Sequence, residues 1–65
     1  MLHNGDLVWV TGYIRQDQDK IEVYTSGIVL ENQTRRNTIL VRLEKFNGDT
    51  NTDKRVLIKF VRKLT

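Results

Sequence analysis

The apolar residues of this chain recur with a period of two rather than 3.6, the spacing of half-buried β-strands. Residues 7–10 open a β-rich run that reaches Ile14, and the polar residues 15–20 interrupt it. Ile21-Glu22-Val23-Tyr24 alternates briefly. Ile28-Val29-Leu30 follows Ser26-Gly27, where Gly27 reads as a bulge or a point of close backbone approach. Residues 32–37 read as a polar loop. Ile39, Val41 and Leu43 then alternate with Arg42 and Glu44. Residues 47–53 read as a second polar loop, with Asn47-Gly48 as a turn signal. Val56, Ile58 and Phe60 alternate with Leu57 and Lys59, and residues 61–64 close the chain as a short turn or a last strand. No stretch has helical spacing, and no proline forces a break.

Four or five short strands at this spacing predict an all-β, five-stranded antiparallel, partly open barrel with a short helical turn near the C-terminus. The expected inward set is Ile28, Leu30, Ile39, Val41, Leu43, Val56, Ile58 and Phe60, closed at the ends by Leu7 or Val8, Trp9 and Leu64. Since a one-residue slip would expose that set, only alternate registers are allowed. Of these, the one placing Glu44 opposite Arg55 is favoured over one placing Arg42 opposite Lys59, because opposite charges attract across strands.

The opening Gly5-Asp6-Leu7-Val8-Trp9-Val10 resembles the first strand of small barrels of the Src-homology-three type, a group that includes the Tudor, PWWP and KOW domains. The resemblance implies a Gly-Asp turn into strand one, a long loop, and three central strands at residues 27–30, 39–43 and 56–60. A helical turn at residues 61–64 would then precede the last strand. No Pro-Trp-Trp-Pro stretch is present, and a Tudor-like methyl-lysine cage would have to draw on Trp9, Tyr13, Tyr24, Phe46 and Phe60. Ile21-Glu22-Val23-Tyr24 also resembles a strand of the small plasmid-type dihydrofolate reductases, but Glu22 stands where that type needs glutamine.

With 65 residues there is room for one domain. The chain has no cysteine, hence no disulfide framework and no thiolate metal site. No apolar run approaches the ~20 residues needed to cross a bilayer, and residues 1–6 lack the basic and apolar regions of a secretory signal. A cytoplasmic protein is therefore expected. Catalysis is not: the single histidine, His3, lies at the N-terminus, and the single serine, Ser26, has no histidine placed to activate it. The alternating oxygens of Asn47, Asp49, Asn51 and Asp53 fail the calcium-loop template, with Ile58 where a glutamate is needed. No cofactor and no metal are expected.

Charge changes the picture most. The net charge is +3, but residues 1–34 carry two bases and five acids, while residues 35–65 carry nine bases and three acids. Such polarity suits either a face for a polyanion or a solvated face that keeps the protein soluble. Arg35, Arg36, Arg42, Lys45, Lys54, Arg55, Lys59 and Arg62 are the candidate phosphate contacts, with Lys63 completing the basic set; Arg42, Arg55 and Lys59 are expected to share the outward sheet face. Tyr13, Tyr24 and Phe46 are candidates for base stacking or a cage wall, and Trp9 is expected in the core. Outward apolar residues Val29, Leu40, Leu57 and Val61 mark a competing protein interface. The leading expectation is a nucleic-acid-associated binding module, for DNA or RNA. The alternative is a regulator or assembly subunit docking on a larger protein or on a second copy of itself, as bacterial and phage accessory proteins do.

Overall fold

The computed structural model describes residues 1–64. Five strands follow one another: β1 (Leu7–Gln16), β2 (Asp19–Arg35), β3 (Thr38–Phe46), β4 (Asp49–Leu57) and, after a 3-10 turn (Ile58–Phe60), β5 (Val61–Lys63). All pairings are antiparallel, and the strands form one sheet in the order β4-β3-β2-β1-β5. The all-β, partly open architecture is thus the one the alternation predicts.

Three successive hairpins turn on only two residues each, because the last pairs are Gln16 with Asp19, Arg35 with Thr38 and Phe46 with Asp49. Arg36 and Asn37 (φ 51° and 63°), and Asn47 and Gly48 (φ 51° and 88°), both have positive φ at their two central positions. That backbone twist matches the right-handed twist of the flanking strands. Asn47-Gly48 is therefore the tight hairpin its sequence signals, and β4 begins directly after it. Residues 49–53 are strand rather than loop, and residues 15–20 are likewise the tip of a hairpin rather than a long loop.

The 17 residues of β2 would span about 56 Å if straight, yet the whole molecule is 31 Å long. The strand must bend. Its first half pairs with β1 and its second half with β3, with register shifts between Val29 and Glu31 and between Glu31 and Arg35. The handover falls at Gly27, where a β-carbon would stand 2.7 Å from Val41 Cγ1 and 2.8 Å from the Arg42 carbonyl oxygen. Glycine here is a point of close approach, not a break in the strand. Just beyond it, the hydroxyl of buried Thr25 accepts the Lys45 N–H at 3.2 Å where the β2–β3 ladder has ended.

The concave face buries Val8, Val10, Val23, Val29, Ile39, Val41, Leu43, Phe46 and Val56 as one core. The pairs Val29–Val41 and Ile39–Val56 cross it directly. Ile14, Ile21, Phe60 and Val61 pack at its margins. Two contacts close the rims: Lys54 Nζ donates to Gln16 Oε1 at 3.0 Å, bringing the β1–β2 hairpin over β4. Asn32 donates its backbone N–H to Asn4 Oδ1 and its side-chain amide to the Leu2 carbonyl, tying the N-terminal segment to bent β2.

Several expectations are corrected. Val29, not Ile28 or Leu30, points inward, since β2 keeps the parity set by Val23, Thr25 and Gly27; Ile28 is 41% exposed and Leu30 lies half-buried at the bulge. Val29 is thereby removed from any protein interface. Ile58 and Leu64 are exposed, because β4 ends at Leu57 and residues 58–60 form the 3-10 turn. That turn precedes β5, which itself occupies residues 61–63. Trp9 is half-buried on the convex face rather than in the core. Arg55 faces Leu40, and Arg42 faces Asp53, because the two-residue turn shifts the register away from a Glu44–Arg55 pair.

Candidate nucleic-acid interface

The basic residues divide into two groups by what they touch. Arg42 and Arg55 do share the convex face, as expected, but both are engaged. Arg42 reaches Asp53 with two nitrogens, at 2.8 and 3.2 Å. The bond holds the Asp53 carboxyl below its ordinary range and raises the Arg42 guanidinium. Arg55 binds Glu31 at 2.9 Å and donates to the carbonyls of Thr38 and Gln33. Lys54 is held by Gln16, and Lys63 lies 3.6 Å from Asp6. A continuous basic sheet face built on Arg42, Arg55 and Lys59 is therefore not what the structure presents: two of the three are neutralised, and Lys59 sits on the 3-10 turn.

Among the described residues, Arg15, Lys20, Arg35, Arg36, Lys45, Lys59 and Arg62 make no ion pair. Arg15 and Lys59 line one groove, and Lys20, Arg35 and Arg36 are backbone neighbours of its lining residues, Lys20 across from Arg15, Arg35 across from Thr38 and Arg36 next to Asn37. Tyr13, Ile14, Arg15, Thr38, Arg55 and Leu57 line its first part, between the β1–β2 hairpin and the ends of β3 and β4. Asn37, Leu57, Ile58 and Lys59 line its continuation along the 3-10 turn. Arg15 and Lys20 are cross-strand neighbours beside the β1–β2 turn. Arg35 and Arg36 lie at the β2–β3 turn, whose Asn37 carbonyl accepts the Ile58 N–H at 2.8 Å and so fixes that turn against the 3-10 segment.

Tyr13 of the groove pairs with Phe60, which is half-buried against the core, with ring centroids 5.2 Å apart. Lys20 Nζ lies 4.1 Å from the Tyr13 centroid and Lys59 Nζ 5.3 Å from that of Phe60. The result is a row of cation, ring, ring and cation. Each ammonium lies over a half-buried ring, a contact worth about 0.5–1 kcal/mol at an exposed site.

The other expected aromatics go elsewhere. Phe46 is buried, 4% exposed, beneath Lys54, so it is a core residue and not a stacking surface. Its position breaks the alternation of β3, where two exposed residues precede it. Tyr24 is 74% exposed and takes Trp9 edge-on at 5.0 Å. Leu40 and Leu57 are half-buried beside Arg55, and Val61 packs against the core. The convex face also exposes Leu7 and Ile28, directly paired across β1 and β2. Sequence reasoning gives Arg15 and Lys20 no role, takes Ile28 and Leu7 as core, and names Phe60 both as core and as a possible cage aromatic. The signal was present in β1, where Leu7, Trp9, Thr11 and Tyr13 form one period-two set and Val8, Val10, Gly12 and Ile14 the other.

No protein-family model, curated protein or solved structure matches this chain. Among the described residues, no three His, Cys, Asp or Glu side chains gather as a metal site, and no helix is long and apolar enough to cross a membrane.

Proposed function

We propose that this chain is a nucleic-acid-associated binding module that takes an unpaired strand along the groove between the β1–β2 hairpin and the 3-10 turn. The observation that carries the reading is the Lys20–Tyr13–Phe60–Lys59 row, with Arg15 across from Lys20 on the β1–β2 hairpin and Arg35 and Arg36 at the β2–β3 turn. Aromatic faces accept any base, and the surrounding cations track the backbone without reading sequence. The three central antiparallel strands and the 3-10 turn ahead of β5 support placing the barrel in the Src-homology-three type. The tight β1–β2 hairpin departs from that type's long loop.

The test is a fluorescence-anisotropy titration of labelled random single-stranded and duplex DNA and RNA at about 50 and 200 mM salt, the range over which counterion release separates phosphate contacts from other binding. The expected result is binding that favours single strands, weakens with salt and is lost with Tyr13→Ala. Absence of binding at the lower salt overturns the reading.

A further inference from the structure

We propose that the convex face of the sheet is the contact surface for a second copy of this chain. One row of side chains crosses four adjacent strands of that face. Arg62 of β5 pairs with Trp9 of β1, Trp9 pairs with Ser26 of β2, and Ser26 donates its hydroxyl to Glu44 of β3. The row runs from an unpaired cation to an anion whose only bond among the described residues is that hydroxyl. Its midpoint is the β1–β2 seam. The neighbouring row crosses the same seam with Leu7 and Ile28, which are 55% and 41% exposed.

This arrangement is complementary to itself. A two-fold axis lying over the seam and parallel to the strands exchanges β1 with β2 and β5 with β3. It sets Leu7 against the partner's Ile28 and Trp9 against the partner's Ser26. It also sets Arg62 against the partner's Glu44, and symmetry makes each contact occur twice. An ion pair then stands at each end of the row, the Trp9–Ser26 contacts fill its middle, and two Leu–Ile contacts lie beside them, the apolar and polar parts of a specific interface. Charge decides between occupants. A polyanion would meet Glu44, which pairs with no cation among the described residues, and a uniformly acidic or basic protein would be repelled by one end of the row. A copy rotated about the seam meets opposite charge at both ends. Tyr13 and Phe60 lie toward the hairpin end of β1, two rows beyond Trp9 and outside the Leu7 and Trp9 rows.

The measurement is sedimentation equilibrium of the full chain from micromolar to millimolar concentration. We expect a monomer–dimer equilibrium. Arg62→Glu and Glu44→Arg should each weaken the dimer at least tenfold, about 1.4 kcal/mol per tenfold change. The double variant should restore it, and an equimolar mixture of the two single variants should form a heterodimer of wild-type affinity. Leu7→Asp, at an exposed position, should leave the circular dichroism unchanged and give a monomer. A wild-type chain that stays monomeric at millimolar concentration overturns the proposal, leaving the face to a different protein. A dimer indifferent to both charge reversals overturns it as well.

Discussion

The ring of Phe60 occupies the space that a β-carbon on Gly12 would need: such a carbon would stand 2.4 Å from Phe60 Cγ, and Gly12 itself has a φ of 152°. The absence of a side chain on β1 is what lets the 3-10 turn lay its aromatic ring against the strand and beside Tyr13. Gly12→Ala is therefore expected to destabilise the fold by about 2 kcal/mol or more, since overpacking a filled site costs about 1–3 kcal/mol before any backbone strain. Removing the ring should relieve part of this. In a Phe60→Ala background the Gly12→Ala loss should shrink by about 1 kcal/mol, a coupling measurable by urea denaturation of the four-member cycle. Additive losses would mean that the two residues do not share the space.

Gly27 and Gly48 should separate in the same assay. A β-carbon at Gly48 (φ 88°) meets nothing within 4 Å, so Gly48→Ala carries only the left-handed backbone term, about 1–2 kcal/mol. At Gly27 the obstacles are a valine methyl at 2.7 Å and the Arg42 carbonyl at 2.8 Å, neither of which is the free end of a flexible chain. Gly27→Ala should exceed the Gly48→Ala loss and also weaken the β2–β3 pairing, seen as faster amide exchange at Val41 and Leu43. Equal losses at the two glycines would contradict the close approach.

These glycines also show how far the sequence could be read. Ile39, Val41, Leu43 and Val56 alternate cleanly with polar neighbours, and their strands, inward face and mutual packing were legible. Ile28-Val29-Leu30 has no alternation, so its facing depends on residues further back. Val23, Thr25 and Gly27 set the parity, but two of those three are not residues that announce a core. The β3–β4 register was missed because Asn47-Gly48 was read as part of a longer loop. Once the turn is confined to those two residues, Arg42 must face Asp53. The aromatic pair was harder still. Its rings come from positions 13 and 60, at opposite ends of the chain, and meet through a glycine whose role exists only in three dimensions.

Two carboxylates tie stability to pH. The backbone N–H of His3 donates to Asp6 at 2.8 Å and, with Lys63 nearby, holds the Asp6 carboxyl below its ordinary range; Arg42 does the same for Asp53. A carboxyl whose folded-state pKa is depressed stabilises the fold above its unfolded value of about 4 and loses that contribution as pH falls through the folded value. Stability should accordingly decline from about pH 5 downward. Asp6→Asn and Asp53→Asn should each be less stable than wild type at neutral pH and converge with it at the acid end. Thermal denaturation across pH 2–7, the window about these values, checks this. A constant gap between variant and wild type over the whole range would show that the charge plays no part.

If the proposed function holds, salt dependence would distinguish cations that meet phosphate from those already engaged within the protein. Arg36 and Lys59 make no ion pair among the described residues and stand on either side of the Asn37–Ile58 hydrogen bond, at one end of the groove. Each that meets a single-strand phosphate should contribute about 0.7 to the slope of log affinity against log salt. Arg36→Gln and Lys59→Gln should therefore each lower the magnitude of that slope by about 0.7 and weaken binding at low salt alike for all sequences. Arg42→Gln should leave the slope unchanged, because the guanidinium is already neutralised by Asp53. It should instead make the protein less stable, since Asp53 loses its partner. The measurement is anisotropy at four or more salt concentrations with a single-stranded oligonucleotide. A slope that falls with Arg42→Gln and not with Lys59→Gln would move the binding surface from the groove to the convex sheet face, where it would compete directly with the second copy.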